Sequence, residues 1–182
     1  VNASGSLEDR LFLAAAYDPG HDVIWVTGGI KSCPIADATS GNCPARSLPT
    51  RYLAFDPTSG VAQWNQLGGS GPNQLYGHSM AYDPAGKRLL VVGGSRDGRV
   101  GTNEVWQLDL SDPDPANATW STLSTGGVSL PRVALHAAAL DTSRNWLVVY
   151  GGVTSNFNTP AENTPTTTYA LDLSSTPPAW LD

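Results

Sequence analysis

The stretch Leu89-Leu90-Val91-Val92-Gly93-Gly94 decides the fold, because it occurs three times. Val23-Ile24-Trp25-Val26-Thr27-Gly28-Gly29 precedes it, and Trp146-Leu147-Val148-Val149-Tyr150-Gly151-Gly152 follows it. Each is a short apolar run closed by two glycines. That pattern reads as a buried strand ending where the backbone turns left-handed or passes close to a neighbour. Working outward, Asp18, Asp83 and Asp141 each stand ten residues before the first glycine, and Leu13, His78 and His136 stand fifteen before it. Downstream come an aspartate and a tryptophan: Asp56 with Trp64, Asp109 with Trp120, Asp172 with Trp180. The glycine pairs are 65 and 58 residues apart, and the tryptophans 56 and 60. Such spacing marks a repeat protein.

Each repeat predicts four short antiparallel strands. The first strands fall at 11–17, 78–82 and 136–140, and turn at the aspartates, whose side chains bond forward to backbone amides. The second strands are the runs ending at Gly28-Gly29, Gly93-Gly94 and Gly151-Gly152. The third cover 51–55, 104–108 and 168–173, and the fourth, with the tryptophans, 63–67, 119–123 and 179–181. β-Branched and aromatic runs separated by Gly, Pro, Asn and Asp favour strands over helices.

Composition agrees. Among 182 residues there are 19 Gly and 14 Pro, about 18% against a usual share of roughly 12%, which disfavours helix interiors. Six Trp and six Tyr supply a core and disfavour disorder. A net charge of −6 excludes nucleic acid as the expected partner. No apolar stretch approaches the roughly 20 residues a membrane helix needs, so no membrane insertion is expected. Because the sequence begins at Val1, an upstream segment is expected to have been removed.

The sequence resembles kelch repeats. It shares their Gly-Gly after the second strand, a third-strand aromatic (Tyr52 or Phe55, then Trp106, then Tyr169) and the tryptophan beyond. Of the family's opening Arg-x-Gly-His-Ser, Gly77-His78-Ser79 remain in the second repeat and His136 in the third, with Arg132 one residue off register. The first repeat keeps Arg10 and has Leu13 in place of the histidine. The resemblance runs from about Arg10 to Leu181 and implies an all-β, kelch-type β-propeller. It would have an N-terminal segment at 1–10 and four-stranded blades at 11–67, 77–123 and 135–182. Trp64, Trp120 and Trp180 are then plates packed between blades. Propellers close with at least about four blades, so the ring is expected to be incomplete within this chain. Either other blades were removed or belong to another polypeptide, or copies associate. The first is favoured because the ends fall near blade boundaries.

Alternating strands would put the 2–3 connections (30–50, 95–102, 153–167) and the linkers (68–76, 126–135) at one end. Long irregular loops on a rigid scaffold are where function is usually carried. Cys33 and Cys43, ten residues apart within 30–50, read as a disulfide closing that loop. Two thiolates without nearby His or Cys do not make a zinc site. The disulfide and two glycosylation triplets, at Asn2 and Asn117, point to an oxidising, secreted or cell-surface location. The run 154–168 reads as a flexible surface loop able to carry O-linked sugars.

Catalytic motifs are missing. Some kelch-type propellers are copper-radical oxidases resembling galactose oxidase, but His78 and His136 occupy equivalent repeat positions and His21 lies in a surface turn. Asp112 and Asp114 hint at a calcium loop that Pro113 and Pro115 spoil. No catalytic, cofactor or metal residue is expected. The expected function is a non-enzymatic extracellular binding or scaffold module. Its expected partners are other protein chains supplying the remaining blades or an extracellular assembly, with glycans as a further ligand class. The alternatives are a fragment of a secreted galactose-oxidase-like enzyme and a lectin-like propeller.

Overall fold

The structure is a computed structural model describing residues 3–5, 7–31, 48–72, 74–97, 99–154 and 164–182. It is all-β, with three sheets. The first contains β1 (Ala3–Ser4), β2 (Ala14–Asp18), β3 (Val23–Thr27), β4 (Arg51–Phe55) and β5 (Ala62–Gln66), in the order β1-β5-β4-β3-β2. The second contains β6 (Ser79–Asp83), β7 (Arg88–Val92), β8 (Val105–Asp109) and β9 (Thr119–Thr122), in chain order. The third contains β10 (Gly126–Gly127), β11 (Ala137–Asp141), β12 (Trp146–Tyr150), β13 (Thr168–Asp172) and β14 (Ala179–Leu181), in the order β10-β14-β13-β12-β11. Among the described residues no helix is long and apolar enough to cross a membrane.

The turns form for the reason read from the sequence. Asp18, Asp83 and Asp141 accept hydrogen bonds from the amides of Gly20 (2.9 Å), Gly86 (3.0 Å) and Ser143 (2.9 Å). The residue that enters the second strand is left-handed in all three hairpins: Asp22, Lys87 and Asn145. Asp56, Asp109 and Asp172 hold the 3–4 hairpins in the same way through the amides of Thr58, Ser111 and Ser174.

Two expectations need correction. Two of the sheets have five strands, not four. The chain ahead of each runs parallel to its outer strand, pairing Ala3 with Ala62 and Gly126 with Ala179. In the third sheet Val128 N donates to Trp180 O at 3.0 Å. The corresponding residue ahead of the second sheet is Pro72, which has no N–H to give, and no fifth strand forms there. The second correction concerns the third-strand aromatic. Trp106 pairs with Val91 and Tyr169 with Val149, and the residue at that register in the first sheet is Arg51, opposite Val26. Tyr52, one residue on, therefore points to the other face, where it packs on Trp25 with ring centroids 4.9 Å apart. Phe55 ends β4 and is exposed.

Strand β6 lies beside both β2 and β11, and the cores lie between sheets. Each sheet has a leading face toward the next sheet in sequence and a trailing face toward the previous one. Val23, Trp25 and Tyr52 on the leading face of the first sheet pack against Leu89 and Leu108 on the trailing face of the second. Leu90, Val92 and Val105 lead from the second sheet against Leu147, Leu171 and Trp180 of the third. Trp25, Leu89, Leu108, Leu147 and Leu171 are fully buried, each contributing about 1.5–3 kcal/mol.

Candidate functional site

The glycine pairs and histidines belong to the seams between sheets. Gly28, Gly29, Gly93, Gly94, Gly151 and Gly152 all have positive φ, a backbone that L side chains rarely adopt. A Cβ on Gly28 would lie 2.2 Å from the Leu75 carbonyl oxygen and 2.5 Å from His78 Cε1. One on Gly93 would lie 2.6 Å from both the Val133 oxygen and His136 Cε1. Amides of the second glycines close the seams: Gly29 N donates to Leu75 O (2.8 Å) and Gly94 N to Val133 O (2.7 Å). A further chain of bonds runs from Leu135 N to Gly77 O and from Gly77 N to Phe12 O.

His78 and His136 are buried, and none of their ring nitrogens has a hydrogen-bond partner. Burial holds His78 down to about 4, helped by the neighbouring His136 and opposed by the Thr27 backbone. Burial alone holds His136 down to about 4. Both imidazoles are therefore neutral packing groups at neutral pH. His21 sits at the opposite end, between Asp18 Oδ2 (2.6 Å) and the Asp112 carbonyl (2.7 Å). Among the described residues no three His, Cys, Asp or Glu side chains converge as a metal site.

The tryptophans occupy one register position, opposite Leu53, Leu108 and Leu171 on the trailing faces. Trp120 packs in the first seam and donates from Nε1 to Thr50 Oγ1 at 3.1 Å. Trp180 is buried in the second seam, whereas Trp64, on the uncovered trailing face, is half-buried. The sequence reading took Gly71 and Gly127 only as parts of linkers and left Gly5 in the N-terminal segment. In fact Gly5 crosses Trp64, Gly71 crosses Trp120 and Gly127 crosses Trp180, with Cβ positions 2.7 Å or less from Trp120 and Trp180 atoms and 2.8 Å from the Trp64 oxygen. The signal was a glycine 59, 49 and 53 residues before each tryptophan.

Clefts among the described residues lie at the end carrying the 2–3 connections and linkers. One of about 100 Å³ lies beside Trp120, lined by Thr27, Pro49, Thr50, Gln66 and Gly71. Its counterpart in the next seam, about 260 Å³, lies beside Trp180 and is lined by Asn103, Gly127, Ser129 and Leu130. A third, about 240 Å³, is bounded by Arg96, Asp97, Val100, Glu104 and Arg132. The fourth lies among Pro131, Thr154, Thr164 and Tyr169.

Ion pairs stiffen this end. The Arg51 guanidinium bonds Glu8, and Arg10 bonds Glu8 (2.8 Å), the Pro49 carbonyl (2.7 Å) and the Gly28 carbonyl (3.2 Å). Arg51, with Arg10 adding to it against partial burial, holds the Glu8 carboxyl down to about 2. Arg96 forks onto Glu104 at 2.9 and 2.7 Å, and Trp106 Nε1 donates to the same carboxylate at 2.9 Å. These contacts lower the Glu104 carboxyl, with Arg96 as the main cause. Sequence reading singled out none of these charges for a role at this end: Arg51 and the Pro49 carbonyl reach Glu8 and Arg10 from about 40 residues away, and the local Arg96–Glu104 pair carries no motif of its own.

Cys33, Cys43, Asn2 and most of residues 30–50 and 153–167 lie outside the described residues. Asn117 is exposed in the hairpin between β8 and β9, at the end away from the clefts, where its amide donates to Asp112 Oδ1 at 3.3 Å. Asp112 and Asp114 there cap turns by accepting from the amides of Asp114 and Ala116, both at 2.9 Å.

No protein-family model and no curated protein matches the chain. Among solved structures it is similar to the structure of YjhT, with a TM-score of 0.64 and 15% sequence identity over 96% of this chain and 51% of that one. The chain spans about half the length of that protein, and at this identity the likeness is one of fold.

Proposed function

We propose that this chain is an arc of a kelch-type β-propeller, its three sheets being successive blades, and that it works as a non-enzymatic binding or scaffold module outside the cell. Its partners are other protein chains, met at the end bearing the 2–3 connections and linkers. The observation that carries this reading is the gathering of clefts at that end, framed by the Arg96–Glu104 and Arg10–Glu8–Arg51 pairs. The opposite end is built of aspartate-capped hairpins that repeat from sheet to sheet. A rigid scaffold with one variable end is a common arrangement for recognition. The Cys33–Cys43 disulfide and glycans at Asn2 and Asn117 belong to the same reading, as does a secreted or cell-surface location.

A panel of purified extracellular protein domains presented to the immobilised chain tests this. At least one partner should bind, lose binding when residues 30–50 are replaced by a short Gly-Ser bridge, and keep it when Asp141 is replaced by Asn at the other end. Binding indifferent to the loop replacement would sink the proposed face. Turnover of a sugar alcohol by the copper-loaded chain would sink the non-enzymatic reading.

A further inference from the structure

Each sheet's first hairpin pairs its aspartate with a basic side chain, and the first sheet differs from the others in kind. Arg88 Nε donates to Asp83 Oδ2 at 2.8 Å, and Arg144 bonds Asp141 Oδ2 at 2.7 Å. Both guanidiniums stay charged at any ordinary pH. In the first sheet that place is taken by His21, whose Nδ1 lies 2.6 Å from Asp18 Oδ2. Its ring also crosses the seam. Nε2 lies 2.7 Å from the carbonyl oxygen of Asp112, in the hairpin between β8 and β9. Among the described residues the Arg88 side chain bonds only Asp83 and Gln107 of its own sheet, and that of Arg144 only Asp141.

Both neighbours of the His21 ring accept. The Asp112 carbonyl has no proton to give, so Nε2 must carry one. The Asp18 side chain is 1% exposed and already accepts from Gly20 N at 2.9 Å and from Trp25 Nε1 at 3.4 Å. A carboxylate so placed takes a proton from Nδ1 as well. Only the imidazolium satisfies both sides. A neutral ring that keeps Nδ1–H for the buried carboxylate turns the Nε2 lone pair on the Asp112 oxygen, and the bond across the seam is lost. Against partial burial, which alone would lower it, the Asp112 carbonyl and Asp18 raise the imidazole above its ordinary value. The other charged or titratable groups around the pair have partners of their own or are exposed. Asp22 accepts from Tyr17 Oη, Asp112 and Asp114 cap turn amides, and Asp83 is held by Arg88. Tyr82 Oη lies 3.7 Å from a Cβ built on Gly20, and Lys87 is exposed.

We infer that His21 is a pH-dependent latch between the first and second sheets. As imidazolium it ties the buried Asp18 carboxylate to the Asp112 carbonyl, and as the neutral ring it releases the hairpin between β8 and β9. Leu110 and Ala118 flank Asp112 in that hairpin and are buried in one cluster with Trp25 and Tyr52. The latch is closed below about pH 6.5 and opens as the pH rises through the higher folded value. His78 packs against Gly28 at the other end of the same seam and is charged only in acid. One seam therefore carries opposite titrations at its two ends. The inference is independent of the arc reading and of what the loop end binds.

Nitrogen NMR of the full chain, labelled at its three histidines, tests it. His21 should titrate with a midpoint above about 6.5, with both ring nitrogens protonated below it and only Nδ1 above it. Amide exchange at Leu110 and Ala118, corrected for its intrinsic pH dependence, should quicken about tenfold over the same range, as loss of one bond to a charged group predicts. In His21→Gln the exchange should be fast throughout and the step absent. Asp112→Asn keeps the carbonyl and should keep the step. The first two readouts use the unmodified chain and decide the matter even if His21→Gln does not fold. A midpoint at or below 6.5, a neutral ring protonated at Nε2, exchange that ignores the His21 titration, or a step that survives His21→Gln would overturn the inference.

Discussion

The first two glycine pairs and the third have the same sequence environment and opposite surroundings. Gly28-Gly29 and Gly93-Gly94 are buried beneath the next sheet, while Gly151-Gly152 are half-exposed. In all six the left-handed backbone persists. The difference separates two causes that the motif combines. Left-handed φ belongs to the strand end itself, since it survives without a neighbour. The absence of a side chain at the first glycine answers to the neighbour, since only there does a Cβ collide.

Substitution at the first glycines should split that comparison most widely. Gly28→Val and Gly93→Val collide with backbone carbonyls, and each should cost about 4 kcal/mol or more. Gly151→Ala meets only the left-handed strain, about 1–2 kcal/mol. Urea unfolding of the three variants measures both terms, and equal losses would mean that the seam contacts matter little. The tryptophans sharpen the same contrast. Trp180→Ala empties a filled seam and should cost about 3–5 kcal/mol. Trp64→Ala, on an uncovered face, should cost less than half of that.

The histidines give the next effect, and its sign follows from the direction of the shift. His78 and His136 are held down to about 4 when folded, against about 6.5 when unfolded. The unfolded chain therefore binds more protons below about pH 6.5. Stability is full above that pH and falls as pH drops toward 4, by about 3 kcal/mol per histidine. Leu13 fills the equivalent place without a titrating ring. His78→Leu should therefore flatten the acid limb of a stability-versus-pH curve by about half, and an unchanged slope would remove the histidines as its cause.

The strand plan was legible because each unit repeats a second strand ending in Gly-Gly and two aspartate turns, all local signals. Register was less so. A sequence can show that Tyr52 and Phe55 are aromatic, but only the pairing of Val26 with Arg51 reveals which residue matches Trp106 and Tyr169. One residue of slip exchanges the faces of a strand. At the loop end the Arg10–Glu8–Arg51 cluster draws on segments about 40 residues apart in sequence, a distance over which a single sequence carries no pattern. The crossing of glycine over tryptophan was readable in principle from spacing, yet it rests on parallel pairing that short linkers rarely advertise.

The segment that leaves the second sheet binds along the rim of the third through Gly126 N to Pro178 O and Val128 N to Trp180 O. The stretch of chain between two sheets is thus also the guard rail of the later one. An excised third unit that begins at its first long strand would expose a raw outer edge inviting promiscuous strand addition. One cut just after β9 would carry its own protection.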